Sequence, residues 1–106
     1  MGDYDLRDLA ARIFLDAAQY IRQLGWRVEG MAHDGEPRCS MGALASAYPE
    51  EYWNETMSQL MYSYLYEELD GISLTQFNHK YEDGEKVAQL YERVAAKITS
   101  KMLTSA

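Results

Sequence analysis

The chain has 106 residues, of which 47% are hydrophobic and 25% are charged, and its net charge is -7. A chain of this length forms one domain around one hydrophobic core, and its excess of acids disfavours direct binding to nucleic acid or to an anionic membrane. No apolar run reaches the roughly 20 residues that cross a bilayer. We expect one domain over residues 1–106, with its core at about residues 4–103 and a frayed tail at 104–106.

The N-terminus and the cysteine content bear on location. Residues 1–5 contain two acids and lack the basic and apolar regions of a secretory signal. Cys39 is the only cysteine, so the chain cannot form an internal disulfide, which is usual in a reducing compartment. We therefore expect a cytoplasmic protein.

Charged residues are distributed unevenly along the chain. Residues 39–79 contain six acids and no Lys or Arg, whereas residues 80–106 contain four acids and five bases. A protein that binds nucleic acid needs cations to neutralise phosphates, and the middle of the chain has none. This pattern favours a protein partner with a basic surface.

Apolar residues at steps of three and four predict a first helix. The stripe consists of Leu6, Leu9, Ile13, Ala17, Tyr20 or Ile21, and Leu24. Either Asp3 or Asp5 can cap its N-terminus. Gly25 supplies the left-handed residue that commonly ends a helix, and Trp26 after it is expected to contact Ile21. The alternative for Trp26 is a platform for a ligand, which large aromatic side chains also provide.

Residues 27–38 contain two glycines, a proline and the turn pair Asp34-Gly35, and they predict a Gly-rich loop. Loops of this length are often functional, so His33, Asp34 and Glu36 are candidates for a metal or catalytic site. We favour a solvated turn, because no second pair of ligands follows at a recognised metal-binding spacing.

The segment Cys39-Ser40-Met41-Gly42-Ala43-Leu44 lies between two long amphipathic runs. Its small residues, Gly42 among them, allow neighbouring helices to approach closely. We predict a short helix over residues 41–48, capped by Ser40 and stopped by Pro49, at the packing centre of the fold.

Cys39 is expected to be a buried thiol, because a free cysteine is among the most buried residue types. Two alternatives involve chemistry. Cys39 could act as a nucleophile with His33 or His79 as its base, or it could be one ligand of a metal site.

Residues 50–70 predict a third helix that begins after Pro49 with acids in its first turn. The alternating tyrosines at 61–66 also fit a strand, but the length of the segment and its Glu, Gln, Met and Leu residues favour a helix. The predicted buried stripe consists of Trp53, Met57, Leu60, Met61, Tyr64 and Leu65.

The opposite face of this helix is the candidate protein-binding surface, because it combines acids with tyrosines, which are enriched at protein interfaces. Including neighbouring acids, the predicted partner-binding residues are Glu51, Glu55, Gln59, Tyr62, Tyr66, Glu67, Glu68 and Asp70. The alternative is that Tyr62 and Tyr66 pack on a neighbouring loop.

The last third of the chain predicts two further helices. Gly71 ends the third helix, and Ser73-Leu74-Thr75-Gln76 matches a capping box before a short helix at 74–81. A final helix is predicted from Glu85 to about Met102. Its buried stripe consists of Val87, Leu90, Tyr91, Val94, Ile98 and Met102.

Several short motifs carry a family resemblance. They are Gly25-Trp26, the Gly-rich loop, Cys39-Ser40-Met41-Gly42-Ala43-Leu44, Phe77-Asn78-His79 and Glu85-Lys86-Val87. In this order they resemble a family of small uncharacterised proteins, a domain of unknown function, from actinobacteria and their phages, over about residues 6–98. Phe77 stands where the family has Trp, and His79 stands where it has Asp. The resemblance implies a helical single domain and a phage origin, but no activity. We interpret Asn78 as bracing a turn through its side-chain amide.

Together these features predict an all-α fold, a compact bundle of four to five helices with a short central small-residue helix and one Gly-rich loop. The expected function is a non-enzymatic, phage-encoded protein-binding factor that engages a host or phage protein through its acidic, Tyr-rich helix face. One way for it to act would be to block a basic nucleic-acid-binding surface. The alternatives are a structural homodimer and an enzyme that depends on Cys39 and His79. We assign no cofactor, metal ligand or catalytic residue.

Overall fold

A computed structural model describes residues 6–26, 40–47 and 54–104 of the chain. These residues form five α-helices and no β-strand, which confirms the predicted all-α class. The helices are α1 (Leu6–Leu24), α2 (Ser40–Ala47), α3 (Glu55–Leu69), α4 (Leu74–Tyr81) and α5 (Gly84–Thr104). Within these ranges, no helix is both long enough and apolar enough to cross a membrane.

The most extensive packing in the described structure is between α1 and α5. The two helices run antiparallel, because Arg22 near the end of α1 contacts Glu85 at the start of α5. Phe14 of α1 and Tyr91 of α5 are both fully buried, and their ring centroids lie 5.5 Å apart. Burial of each such large side chain stabilises the fold by roughly 1.5–3 kcal/mol, so this pair of helices holds the centre of the core.

The short helix α2 packs mainly against α1. It contributes two described buried residues, Ala43 and Leu44. Both side chains belong to the hydrophobic core, although the most extensive packing is between α1 and α5. The reason is that small residues bury little area, whereas the two long helices present continuous stripes of large apolar side chains.

Where α1 ends, the chain turns and comes back against α5. Gly25 has a φ of 92° and donates its N–H to the carbonyl of Ile21 at 2.8 Å, so it takes the left-handed position that follows a helix. Trp26 is partly buried against the core. A Cβ atom on Gly84 would lie only 2.7 Å from the Cβ of Trp26, so the close approach of Trp26 to α5 requires a glycine there.

The structure begins α3 at Glu55, five residues later than the sequence predicted. Asn54 has an extended backbone, and its side chain accepts the N–H of Met57 at 2.9 Å, which is the geometry of an N-cap. Trp53 and Glu51 therefore precede the described helix and lie outside the described residues.

The predicted capping box of α4 is present. The Ser73 hydroxyl accepts the N–H of Gln76 at 3.0 Å, and the Gln76 side chain accepts the N–H of Ser73 at 2.8 Å. At the start of α5, the Asp83 carboxylate accepts the N–H of Glu85 at 2.9 Å. These caps fix the two turns that carry the chain from α3 through α4 to α5.

Candidate protein-binding face on α3

Two stripes of residues divide the surface of α3. Its inner stripe consists of four buried side chains, Met57, Met61, Leu65 and Leu69. On the other side, five residues recur at steps of three and four and lie within about 80° of one another around the helix axis. We call Glu55, Gln59, Tyr62, Tyr66 and the C-cap residue Asp70 the Tyr face.

The two tyrosines form the middle of the Tyr face. The rings of Tyr62 and Tyr66 stack with their centroids 5.6 Å apart and their planes 21° from parallel. Tyr66 is 56% exposed, whereas Tyr62 is partly buried and packs against the edge of the core. Burial, together with the neighbouring Tyr66, raises the pKa of Tyr62. The pair therefore offers one open ring backed by a second, partly fixed ring.

Acidic residues lie at both ends of the Tyr face. Glu55 is exposed in the first turn of α3, where the helix dipole favours a carboxylate, and it accepts a hydrogen bond from the Gln59 amide at 3.1 Å. Asp70 is exposed and has a left-handed backbone with a φ of 53°, which places it as the C-cap. Each end of the face is thus negatively charged.

Glu67 and Glu68, which the sequence pattern grouped with the partner-binding residues, lie on the side of α3 that meets α5. Glu67 pairs with Lys101 at 3.1 Å. Glu68 lies 2.8 Å from the Nζ of Lys97 and 3.0 Å from the Nε of Arg93. The hydrogen bond with Lys97, assisted by Arg93, lowers the pKa of Glu68. Both carboxylates are therefore occupied within the chain.

The remaining candidates from the sequence are scattered. Asn78 is buried on α4, and its carbonyl accepts the N–H of Glu82 at 2.9 Å. His79 is exposed on the same helix, and Gly42 lies within α2. Cys39 lies outside the described residues, as do the loop candidates His33, Asp34 and Glu36. In the described ranges, no group of three or more His, Cys, Asp or Glu side chains is arranged to hold a metal ion.

One ion cluster was missed by the sequence analysis, and it is centred on Arg22 of α1. Arg22 donates to both oxygens of Glu85, at 3.0 and 2.8 Å, and also to both oxygens of Glu92. These hydrogen bonds raise the pKa of Arg22 and lower the pKa of both carboxyl groups. The partners are more than 60 residues apart in sequence, so only the packing of α1 on α5 brings them together.

A shallow groove of about 390 Å³ between α1 and α5 was also missed. Leu15, which is 45% exposed, and Leu103, which is 76% exposed, line it together with Ala96. The signal in the sequence was Leu15, a large apolar residue that falls outside the buried stripe of α1. Nothing in the described structure covers this groove.

Comparison with known proteins identifies a family. The model of DUF6197, a family of unknown function, matches residues 6–97. No curated protein and no solved structure matches the chain. The family match confirms the resemblance to a domain of unknown function and assigns no activity.

Proposed function

The chain belongs to this family of unknown function, and we propose that it is a non-enzymatic protein-binding factor whose Tyr face engages a partner with a basic surface. The observation that carries the proposal is the stacked Tyr62–Tyr66 pair, with Tyr66 56% exposed between acids on one side of α3. Exposed tyrosines contribute large contact areas at protein interfaces, and flanking carboxylates favour cationic partners.

The charge of the surrounding chain supports a basic partner. Residues 39–79 contain no Lys or Arg, so this stretch contributes no cation that could neutralise Glu55 or Asp70 from within. The bases of α5 that approach α3 are paired with Glu67 and Glu68 instead. A basic surface that approaches the Tyr face therefore meets uncompensated negative charge, and its attraction extends over roughly 8 Å at physiological salt.

A homodimer through the same face is the weaker candidate on electrostatic grounds. Two copies would place carboxylates opposite carboxylates in either orientation, because the face carries acids at both ends and no base. Like charges placed opposite each other across an interface oppose association. We therefore propose a partner other than a second copy, with light scattering of the purified protein as the check.

The resemblance to proteins of actinobacteria and their phages extends the proposal to the biological setting. A phage-encoded factor of this kind would work in the bacterial cytoplasm and would engage a host or phage protein. A nucleic-acid-binding protein is a suitable partner, because its basic groove would complement the Tyr face and would be blocked by it.

The test is a pull-down with tagged protein from an actinobacterial lysate at low and moderate salt, read by mass spectrometry. Tyr66→Ala is compared with Tyr81→Ala, a matched control at an exposed tyrosine of α4. We expect wild type and Tyr81→Ala to retain the same basic protein, more weakly at moderate salt, and Tyr66→Ala to lose it. Equal retention by both variants would overturn the proposal.

A further inference from the structure

We infer that the C-terminal end of α3 is an arginine-binding site, in which a partner guanidinium stacks on the Tyr66 ring and pairs with the Asp70 carboxylate. This inference rests on the proposed function and names the chemistry of the partner. It places the main polar contact at one end of the Tyr face, which is the end where three independent features coincide.

The first feature is the charge at the helix end. Unsatisfied carbonyl groups give a helix C-terminus a partial negative charge, which is commonly offset by a basic side chain in the last turn. Arg22 and Lys101 occupy that position in α1 and α5, and Lys80 does so in α4. The last turn of α3 has no base, and its C-cap residue is the acid Asp70. The bases of α5 that reach this turn pair with Glu67 and Glu68, so Asp70 keeps its charge without a described basic partner.

The second feature is the aromatic ring beside that charge. Tyr66 precedes the C-cap residue Asp70 by four residues, so the two positions lie about one turn apart on the same side of α3. Within the described part of the chain, the Tyr66 ring stacks only on Tyr62, and Asp70 pairs with no base. One ring face and one carboxylate are thus open to the same incoming group.

The third feature is an internal comparison with two other tyrosines. The Nζ of Lys101 lies 5.2 Å from the centre of the Tyr64 ring, and the Nζ of Lys80 lies 5.3 Å from the centre of the Tyr81 ring. These rings already hold a cation from the chain. Tyr66 is the more exposed of the tyrosines near a helix end, at 56% against 42% for Tyr81. Of these three described tyrosines, Tyr66 is thus the one whose ring holds no cation from the chain.

A site that combines an aromatic ring with a carboxylate favours arginine over lysine. A guanidinium is planar and weakly hydrated, so its face can stack on a tyrosine while its edge donates two hydrogen bonds to a carboxylate. An ammonium is a compact, strongly hydrated charge that cannot make both contacts as well. The neighbouring Glu67 does not compete for the guanidinium, because Lys101 occupies it.

The end of α4 provides matched controls for each variant. Glu82 is an exposed acid and a left-handed C-cap, with a φ of 47°, as Asp70 is for α3. Tyr81 is an exposed tyrosine next to it, but its ring already holds Lys80. Glu82→Gln and Tyr81→Leu therefore repeat the substitutions Asp70→Asn and Tyr66→Leu where no guanidinium site is expected. Asn tolerates a left-handed backbone, so Asp70→Asn removes charge without breaking the cap.

The experiment titrates the full chain at low ionic strength with an acetylated Gly-Arg repeat peptide and with a Gly-Lys peptide of equal length and charge. We expect the wild type to bind the Gly-Arg peptide about two- to fivefold more tightly than the Gly-Lys peptide. Tyr66→Leu should remove that preference, Tyr66→Phe should keep it, and Asp70→Asn should weaken both peptides about two- to fivefold. The α4 variants should behave as wild type, and circular dichroism should show unchanged helicity.

Two outcomes separate this inference from the proposed function. Equal affinity for the two peptides, or an arginine preference that survives Tyr66→Leu, overturns the arginine site. In either case a Tyr66-dependent partner in the pull-down leaves the proposed function standing. Failure of both peptides to bind overturns the arginine site together with its premise of a basic partner.

Discussion

The two sides of α3 carry the same kind of charge in different surroundings. On the side toward α5, Glu67 and Glu68 are each within 3.1 Å of a base, and the Glu68 side chain is only 13% exposed. On the Tyr face, Glu55 and Asp70 are exposed on a stretch of chain that contains no Lys or Arg. The first pair of acids attaches the helix to the fold, and the second pair is exposed on the face that we propose to bind a partner.

This difference follows from the order of charges along the chain. The bases that pair with Glu67 and Glu68 come from α5, 25 to 34 residues later. In the described structure, three of the five bases in region 80–106 pair with these two acids. One helix thus combines a structural side and a solvent-facing side, and substitutions on the two sides should have separable effects.

The largest expected effect comes from the buried inner stripe. Leu65→Ala removes a fully buried side chain and should lower the free energy of unfolding by about 2–5 kcal/mol, because the cavity it leaves cannot fully collapse. Urea denaturation followed by circular dichroism measures this. The adjacent Tyr66→Ala, on the exposed side, is the control, and equal destabilisation by the two would contradict the division of α3 into two sides.

A smaller effect is expected at the ion pairs with α5. Glu68→Lys places a cation beside Arg93 and Lys97 and should destabilise the fold by about 1–2 kcal/mol. The matched change on the other side is Glu55→Lys, whose only described partner is the Gln59 amide. We expect the melting temperature to fall for Glu68→Lys and to fall less for Glu55→Lys, which loses only the favourable interaction with the helix dipole and the Gln59 amide. A similar fall in both would show that Glu68 contributes nothing through its ion pairs.

The pH dependence of stability should report the same ion pairs. Pairing with Lys97 lowers the pKa of Glu68 in the folded state below its ordinary value of 4.5. Its contribution is therefore complete above that ordinary value and is lost as the pH falls through the folded-state pKa. In Glu68→Gln, the free energy of unfolding should therefore fall less steeply as the pH is lowered. Part of the fall should remain, because the pKa values of Glu85 and Glu92 are also lowered in the folded state. Paired carboxylates titrate between about pH 5 and pH 2. If the free energy of unfolding of Glu68→Gln falls as steeply over this range as that of the wild type, the role of Glu68 is contradicted.

The smallest effect on stability is expected at the centre of the Tyr face. Tyr66→Ala should change the free energy of unfolding by no more than about 0.5 kcal/mol, because the ring is 56% exposed and stacks on one neighbour only among the described residues. The measurement is the same urea titration. A loss of several kcal/mol would mean that Tyr66 serves the fold and would remove the basis for a binding face.

Local patterns in the sequence predicted most of the helices. The periodic stripes of α1 and α5 and the capping box at Ser73 depend on neighbours within a few residues, so they could be read directly. The start of α3 was predicted too early, because Pro49 and the acids after it resemble a helix start, whereas Asn54 forms the cap.

Long-range pairings could not be read in the same way. Two sets of ion pairs depend on how the helices pack: those of Glu67 and Glu68 with α5, and those of the Arg22 cluster. The local spacing of residues does not reveal either set. For the same reason the sequence did not reveal that the most extensive packing is between α1 and α5. The part of the candidate site that could be predicted was the alignment of Glu55, Tyr62 and Tyr66, since it follows from helical periodicity alone.

The most direct test of the account is photo-crosslinking from the Tyr face. Tyr66→p-benzoylphenylalanine places a reactive group at the centre of the face, and the same change at Tyr81 places it on α4 as a control. In an actinobacterial lysate, we expect a light-dependent adduct with one basic protein from position 66 and none from position 81. Adducts of equal yield from both positions, or none from position 66, would contradict the claim that the Tyr face binds a partner.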